Sequence, residues 1–190
     1  HRDNSLALFN GSNNSNFQYV SAVSLMQKDI KTKKLFNIKD GIVVIEAEKS
    51  KIFFDITRPN SRQLNRKLHS GTLSFELSNG SDKIITNCGS SEKYVGKNQI
   101  FFRYSAAHST IIINNTNIAE LSEKNSYKRI PENLKIFAEE DENWLIVSGS
   151  HDGYIKNFSI STKRTLKINK NGKIIKGTDQ IFRIKNNKNI

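Results

Sequence analysis

Short runs in which apolar and polar residues alternate recur along the whole chain, and this alternation sets the expected fold. The clearest example lies in residues 67–110, KLHSGTLSFELSNGSDKIITNCGSSEKYVGKNQIFFRYSAAHST. Leu73, Phe75 and Leu77 alternate with Thr72, Ser74, Glu76 and Ser78, a period of two that predicts a half-buried strand. Asn79-Gly80 supplies residues that tolerate positive φ, so a hairpin is expected with a second strand over residues 82–88. A third apolar run at residues 100–104 leads to His108, just ahead of a strand predicted at 110–113. His69, Asn87, Cys88 and His108 are thereby expected at strand ends, where a sheet often gathers a site.

The rest of the chain repeats the pattern. Residues 6–9 read as a short strand ending at Asn10-Gly11, and residues 17–26 as irregular or a short helix. Strands are expected at 41–47 and 52–57, joined by the polar loop Glu48-Lys49-Ser50-Lys51, with Pro59 ending the second because it cannot donate to a ladder. Further strands are expected at 118–121, 134–138, 144–148 (with Trp144 in the core), 154–160, 165–168, 173–175 and 181–184. Between them lie a polar loop over 122–131 that holds Tyr127, an acidic turn at 139–142 and a tight turn at Asn171-Gly172. Strands about every ten residues, with turn signals between them, predict an all-β, mainly antiparallel β-sandwich. The 190 residues are read as one such domain, with no internal repeat and no linker to a second.

Composition narrows the function without fixing it. The formal net charge is +12, so polyanions (nucleic acid, anionic lipid or acidic polysaccharide) are candidate partners, while scattered lysines more often mark a solvated surface. No apolar run approaches the ~18 residues of a membrane span. One cysteine excludes an internal disulfide. There is no Gly-rich phosphate loop, no CxxC, no GxSxG and no EF-hand pattern. A nucleic-acid reading rests on charge alone, because no basic stripe is interleaved with aromatics.

The run HSGTLSFELSNG, followed by NCG and AAHST, resembles the heparinase II/III-like family of polysaccharide lyases. LALFNG (6–11), FFDITRP (53–59) and SHDGY (150–154) extend the likeness over most of the chain. The resemblance implies the C-terminal β-sandwich domain, an N-terminal helical toroid elsewhere in a longer protein, and a periplasmic or secreted location; the polar opening His1-Arg2-Asp3-Asn4 shows no signal sequence. It implies an acidic, uronate-containing polysaccharide as substrate, cleaved by β-elimination.

By the same resemblance, a zinc site falls on His69, Asn87 and His108. Imidazoles suit zinc, but Asn87 stands where the family has an aspartate, and a neutral amide is a poor ligand. Strand parity puts Asn87 on the Ser74/Glu76 face and Cys88 on the opposite one; His69 has the parity of the apolar face unless Gly71 introduces a bulge. Two hydrogen-bonded structural histidines are the competing reading. The family's catalytic histidine position holds Lys67, which can neutralise a carboxylate but shuttles protons poorly near neutral pH. Tyr94 falls near the position of an assisting loop tyrosine, and Arg66 and Arg103 are candidates for contacting the sugar; ordinary loop and strand roles compete with each. His151 reads as a turn-stabilising residue, and His1 as an accident of position. The alternative function is a non-catalytic carbohydrate-binding or structural module.

Overall fold

A computed structural model describes residues 1, 3, 5–12, 36–39, 41–59, 68–91, 97–122 and 126–184. The segment 17–26 and three candidate site residues, Arg66, Lys67 and Tyr94, lie outside them. Two antiparallel sheets pack face to face. The first has the order β1 (Phe36–Lys39), β2 (Ile42–Ala47), β3 (Ser50–Asp55), β4 (Phe75–Asn79) and β5 (Asp82–Ile85). The second has the order β11 (Ile175–Arg183), β10 (Ile160–Asn169), β9 (Trp144–Tyr154) and β8 (Leu134–Glu140). A two-stranded ribbon, β6 (Glu120–Leu121) with β7 (Tyr127–Arg129), lies apart from both. The all-β sandwich expected from the periodicity is therefore the fold observed.

The period-two pattern explains the packing. Val43, Ile45 and Ala47 on β2 face inward with Ile52 and Phe54 on β3, and they meet Leu145 and Val147 of β9 and Leu166 and Ile168 of β10. Cross-strand register aligns Ile45, Ile52 and Leu77 into one inward row. Each such side chain contributes about 1.5–3 kcal/mol when fully buried.

Several expected elements differ, each for a local reason. Residues 6–9 form no strand, and they lie across the outer face of the first sheet instead. The hairpin between β2 and β3 turns on Glu48-Lys49 alone, because Glu48 takes a left-handed φ of 47°. The run at 100–104 lies mostly in a 3-10 helix, Lys97–Arg103, and residues 110–113 contribute only an isolated bridge between Ile113 and Thr116. Tyr127 sits in a strand and not in a loop. β9 continues through SHDGY, and the chain then makes one helical turn, Ile155–Phe158, where a strand is predicted. The two short strands at 173–175 and 181–184 are instead one strand, β11, running from Ile175 to Arg183. Trp144 is only partly buried; Lys167 and Lys176 stand over its indole at 5.9 and 5.2 Å, which takes the place of core packing.

Candidate functional site

The site is assembled on the outer face of the first sheet, around the start of β4. Leu73 carries its side chain into the core, but with a left-handed φ of 63°. The chain turns there, so the strict alternation read from Leu73 to Leu77 begins only at Phe75. This turn, and not a bulge at Gly71, frees His69 from the parity of the apolar face. Segment 68–74 is then clamped by its neighbours. Ser70 N–H donates to the Arg103 carbonyl, the Ser105 hydroxyl donates to the Ser70 carbonyl at 2.7 Å, and Ala119 N–H donates to the Ser70 hydroxyl at 2.7 Å. Ser109 bonds both backbone groups of Phe75 through its hydroxyl, extending the sheet by one side chain.

These constraints bring His69 and His108, 39 residues apart in sequence, into direct contact. Their Nδ1 and Nε2 atoms lie 3.2 Å apart, with both rings buried. Gly71 permits the approach, since a Cβ there would stand 3.0 Å from His108 Cγ. Burial, reinforced by the neighbouring His108 and Arg103, pushes His69 down to about 3. Burial likewise pushes His108 down to about 4, against the opposing pull of the Phe102 backbone and Glu76. Both imidazoles are thus neutral near pH 7. One ring donates to the other across this contact, and which nitrogen carries the proton depends on the tautomer.

Asn87 lies beside the pair with its amide committed. Its Oδ1 accepts from Ser109 N–H at 3.0 Å, and its Nδ2 donates to Glu76 Oε1 at 3.2 Å. Glu76 is fully buried, although it belongs to the face that the sequence leaves polar. Four donors converge on its carboxylate: Leu8 N–H at 2.9 Å, Asn87 N–H at 3.0 Å, the Asn87 amide, and His1 Nε2 at 2.6 Å. Burial raises its pKa, but these hydrogen bonds outweigh burial and hold it below the ordinary range. His1 is no accident of position: its ring is buried against Glu76 and packs edge-on to Phe53 at 4.9 Å.

A second chain of hydrogen bonds reaches His69 from behind. Asp55 accepts from the Thr57 hydroxyl at 2.5 Å, Thr57 accepts from Asn10 Nδ2 at 3.1 Å, and Asn10 Oδ1 accepts His69 N–H at 3.2 Å. Arg103 is buried; its Nε donates to the Leu68 carbonyl, and its guanidinium lies over Tyr127, whose hydroxyl reaches the same carbonyl at 2.5 Å. Cys88 is exposed. His151 accepts Gly153 N–H and bonds the Thr162 hydroxyl, and burial pushes it down to about 4.

Does this arrangement fit a zinc ion? Two ligands at 2.0–2.1 Å on a tetrahedral zinc stand roughly 3.3 Å apart, so the imidazole pair at 3.2 Å has a suitable spacing. Asn87 does not fit as the third ligand, because its oxygen is already engaged by Ser109. Among the described residues no group of three His, Cys, Asp or Glu side chains converges. The donor set present is two imidazoles, short of a zinc site. The sequence pointed to His69, Asn87 and His108 but missed Glu76, His1 and Asn10. The shared parity of Asn87 and Glu76 was the signal available for the buried acid.

Comparison with known proteins gives the family and the fold. Residues 34–187 match the family described as heparinase II/III-like, C-terminal, and the chain belongs to that family. A search by sequence among curated proteins returns no match. Among solved structures, the chain is similar to the heparan sulfate lyase HepC from Pedobacter heparinus, with a TM-score of 0.70 and 14% identity over 96% of this chain and 30% of that one. A structure of heparinase III gives a TM-score of 0.69 and 15% identity, over 95% of this chain and 31% of the other. The BT4657 heparinase III gives 0.68 and 14%, over 95% and 30%. At these identities the likeness speaks for the fold, and the chain spans about three tenths of each relative's length.

Proposed function

We propose that this chain is the sandwich domain of a polysaccharide lyase that lines one wall of a cleft for an acidic, uronate-containing glycan and acts together with an N-terminal helical toroid. The observation that carries the reading is the contact between His69 and His108, held beside a buried acid on the outer face of the sheet. β-Elimination removes a proton α to a uronate carboxylate, and that carboxylate must be neutralised first. Two neutral imidazoles offer hydrogen bonds and a proton acceptor but no positive charge. The cation has to come from elsewhere, and Lys67, two residues before His69, is the residue we assign to it. Tyr94 is assigned the proton transfer and Arg66 a contact with the sugar. Arg103 is reassigned from sugar contact to bracing the Leu68 carbonyl that precedes His69.

The departures at Lys67 and Asn87 favour a second reading, a carbohydrate-binding module without activity. The full-length protein incubated with a uronate-containing oligosaccharide separates the two. Growth of absorbance from an unsaturated product, abolished by Lys67→Ala, is expected; saturable binding without that product would leave only the module. Metal analysis of unmutated protein beside His108→Ala decides on zinc, and stoichiometric zinc lost in the variant is the result that would establish it.

A further inference from the structure

The outer face of the second sheet is remote from the histidine pair in the topology, and it carries its own pattern. Cross-strand register lines up Lys135 on β8, Ser150 on β9 and Lys163 on β10 in one row. Two residues further along, Ser148, Thr165 and Thr178 form a row of hydroxyls. Beyond that row, Lys167 and Lys176 stand directly opposite each other on β10 and β11. Lys135 and Lys163 flank a shallow cleft floored by Ser148, Gly149 and Ser150.

The four lysines form no ion pair among the described residues, whereas Lys51, Lys83, Lys128, Lys156 and Lys170 each have a carboxylate partner. Directly opposed like charges destabilise a sheet, and here only the Trp144 indole offsets the Lys167–Lys176 pair. The nearby acids offset this charge only in part. Asp179 is paired with Arg164 and Glu140 with Lys170, whereas Asp152, which accepts from the Glu132 and Asn133 N–H groups, and Glu139 form no ion pair among the described residues, so the four lysines outnumber these two carboxylates.

We propose that this face binds a linear polyanionic polysaccharide along the lysine rows, as a surface separate from the lyase cleft. Lysines two strands apart stand about 10 Å from each other, and Lys163 and Lys167, four residues apart, about 13 Å, so an extended chain meets cations at intervals and not at one point. Carboxylate or sulfate groups engage the ammonium groups, and the Thr165 and Thr178 hydroxyls between them accept and donate to sugar hydroxyls; Ser148, at the same level, is buried. Single-stranded nucleic acid fits less well. It needs aromatic platforms in succession for base stacking; Trp144 is already covered by lysines, and the exposed rings that remain, Phe137 on β8 and Phe182 on β11, stand on opposite edge strands of the sheet.

The test measures binding of heparin, polygalacturonate, neutral dextran and oligo-dT to the full-length protein over a range of salt. The variants are Lys135→Gln/Lys163→Gln/Lys167→Gln/Lys176→Gln and a control, Lys128→Gln/Lys156→Gln, with thermal melting to verify folding. The fourfold variant is expected to lose at least tenfold in affinity for the acidic polysaccharides, with the salt slope falling by about one per lysine engaged. The control should match the unmutated protein, and dextran should not bind. Equal affinity of the fourfold variant and the unmutated protein would overturn the proposal; so would oligo-dT binding that is tighter than polysaccharide binding and lost in the same variant. Elimination of short oligosaccharides should be unchanged in the fourfold variant, so an inactive cleft and an empty lysine face give different results.

Discussion

At the scale of single residues, the site depends on a missing side chain. Gly71 lies flat beneath the His108 ring, and the ring, being buried, cannot yield. Gly71→Ala is expected to cost about 1–3 kcal/mol in urea unfolding through overpacking. It should also break the His69–His108 contact, which the imidazole resonances in NMR would report; unchanged resonances would contradict this packing. The motif letters made His69, Asn87 and His108 legible because they fall at the edges of runs with a clear period. Glu76 was hidden by the same period. A polar residue alternating with Phe75 and Leu77 reads as a solvent-facing position, and nothing in the alternation reveals that His1, Leu8, Asn87 and Ser109 cover that face. His1 was illegible for a related reason: its partner lies 75 positions away.

At the scale of elements, hairpins were readable and connections were not. Asn79-Gly80 and Asn171-Gly172 announce their turns chemically, and both join adjacent antiparallel strands. The segments at 100–104 and 154–160 have apolar residues enough for strands, but they adopt helical turns because tertiary contacts, not propensity, decide short runs. One residue of β10 ties the layers together. Arg164 reaches across to donate to the carbonyls of Leu73 and Ser109 and holds Asp179 in a two-pronged pair at 2.8 Å. Arg164→Met leaves those carbonyls, in a largely dry setting, without a donor, and a loss of about 2–5 kcal/mol is expected. Asp179→Asn removes only a partner that is 46% exposed, so its cost should stay below about 1 kcal/mol. Denaturation midpoints of the two variants test the asymmetry, and equal costs would place the energy in the ion pair instead.

At the scale of the molecule, buried titrating groups give stability a pH dependence with two opposing parts. His69, His108 and His151 have folded values near 3 to 4, below the 6.5 of an unfolded histidine. Between about pH 4 and 6.5 the unfolded chain therefore binds more protons at these three positions, and stability rises with pH, each group contributing about 1.4 kcal/mol per pH unit. Burial pushes Asp55 up to about 7 from 3.8. Over the same window the folded state holds the Asp55 proton that the unfolded chain has lost, so this group alone lowers stability as pH rises. The histidines prevail three to one, and the melting temperature should climb from pH 4 to 6.5. Asp55→Asn should steepen the climb; a flat profile in the unmutated protein would show that the imidazoles are exposed to solvent. None of this was readable from the letters, which give the residue types but not their depth.

The family match begins at residue 34, yet His1 and Leu8 supply two of the four donors on Glu76, and Asn10 fixes the backbone of His69. The segment that the family description matches and the segment that closes around Glu76 are therefore not the same length. A gene trimmed to the matched segment would encode every described strand while uncovering an acid that needs shelter, and a protein that looked intact by its sheet content would carry a carboxylate short of two donors.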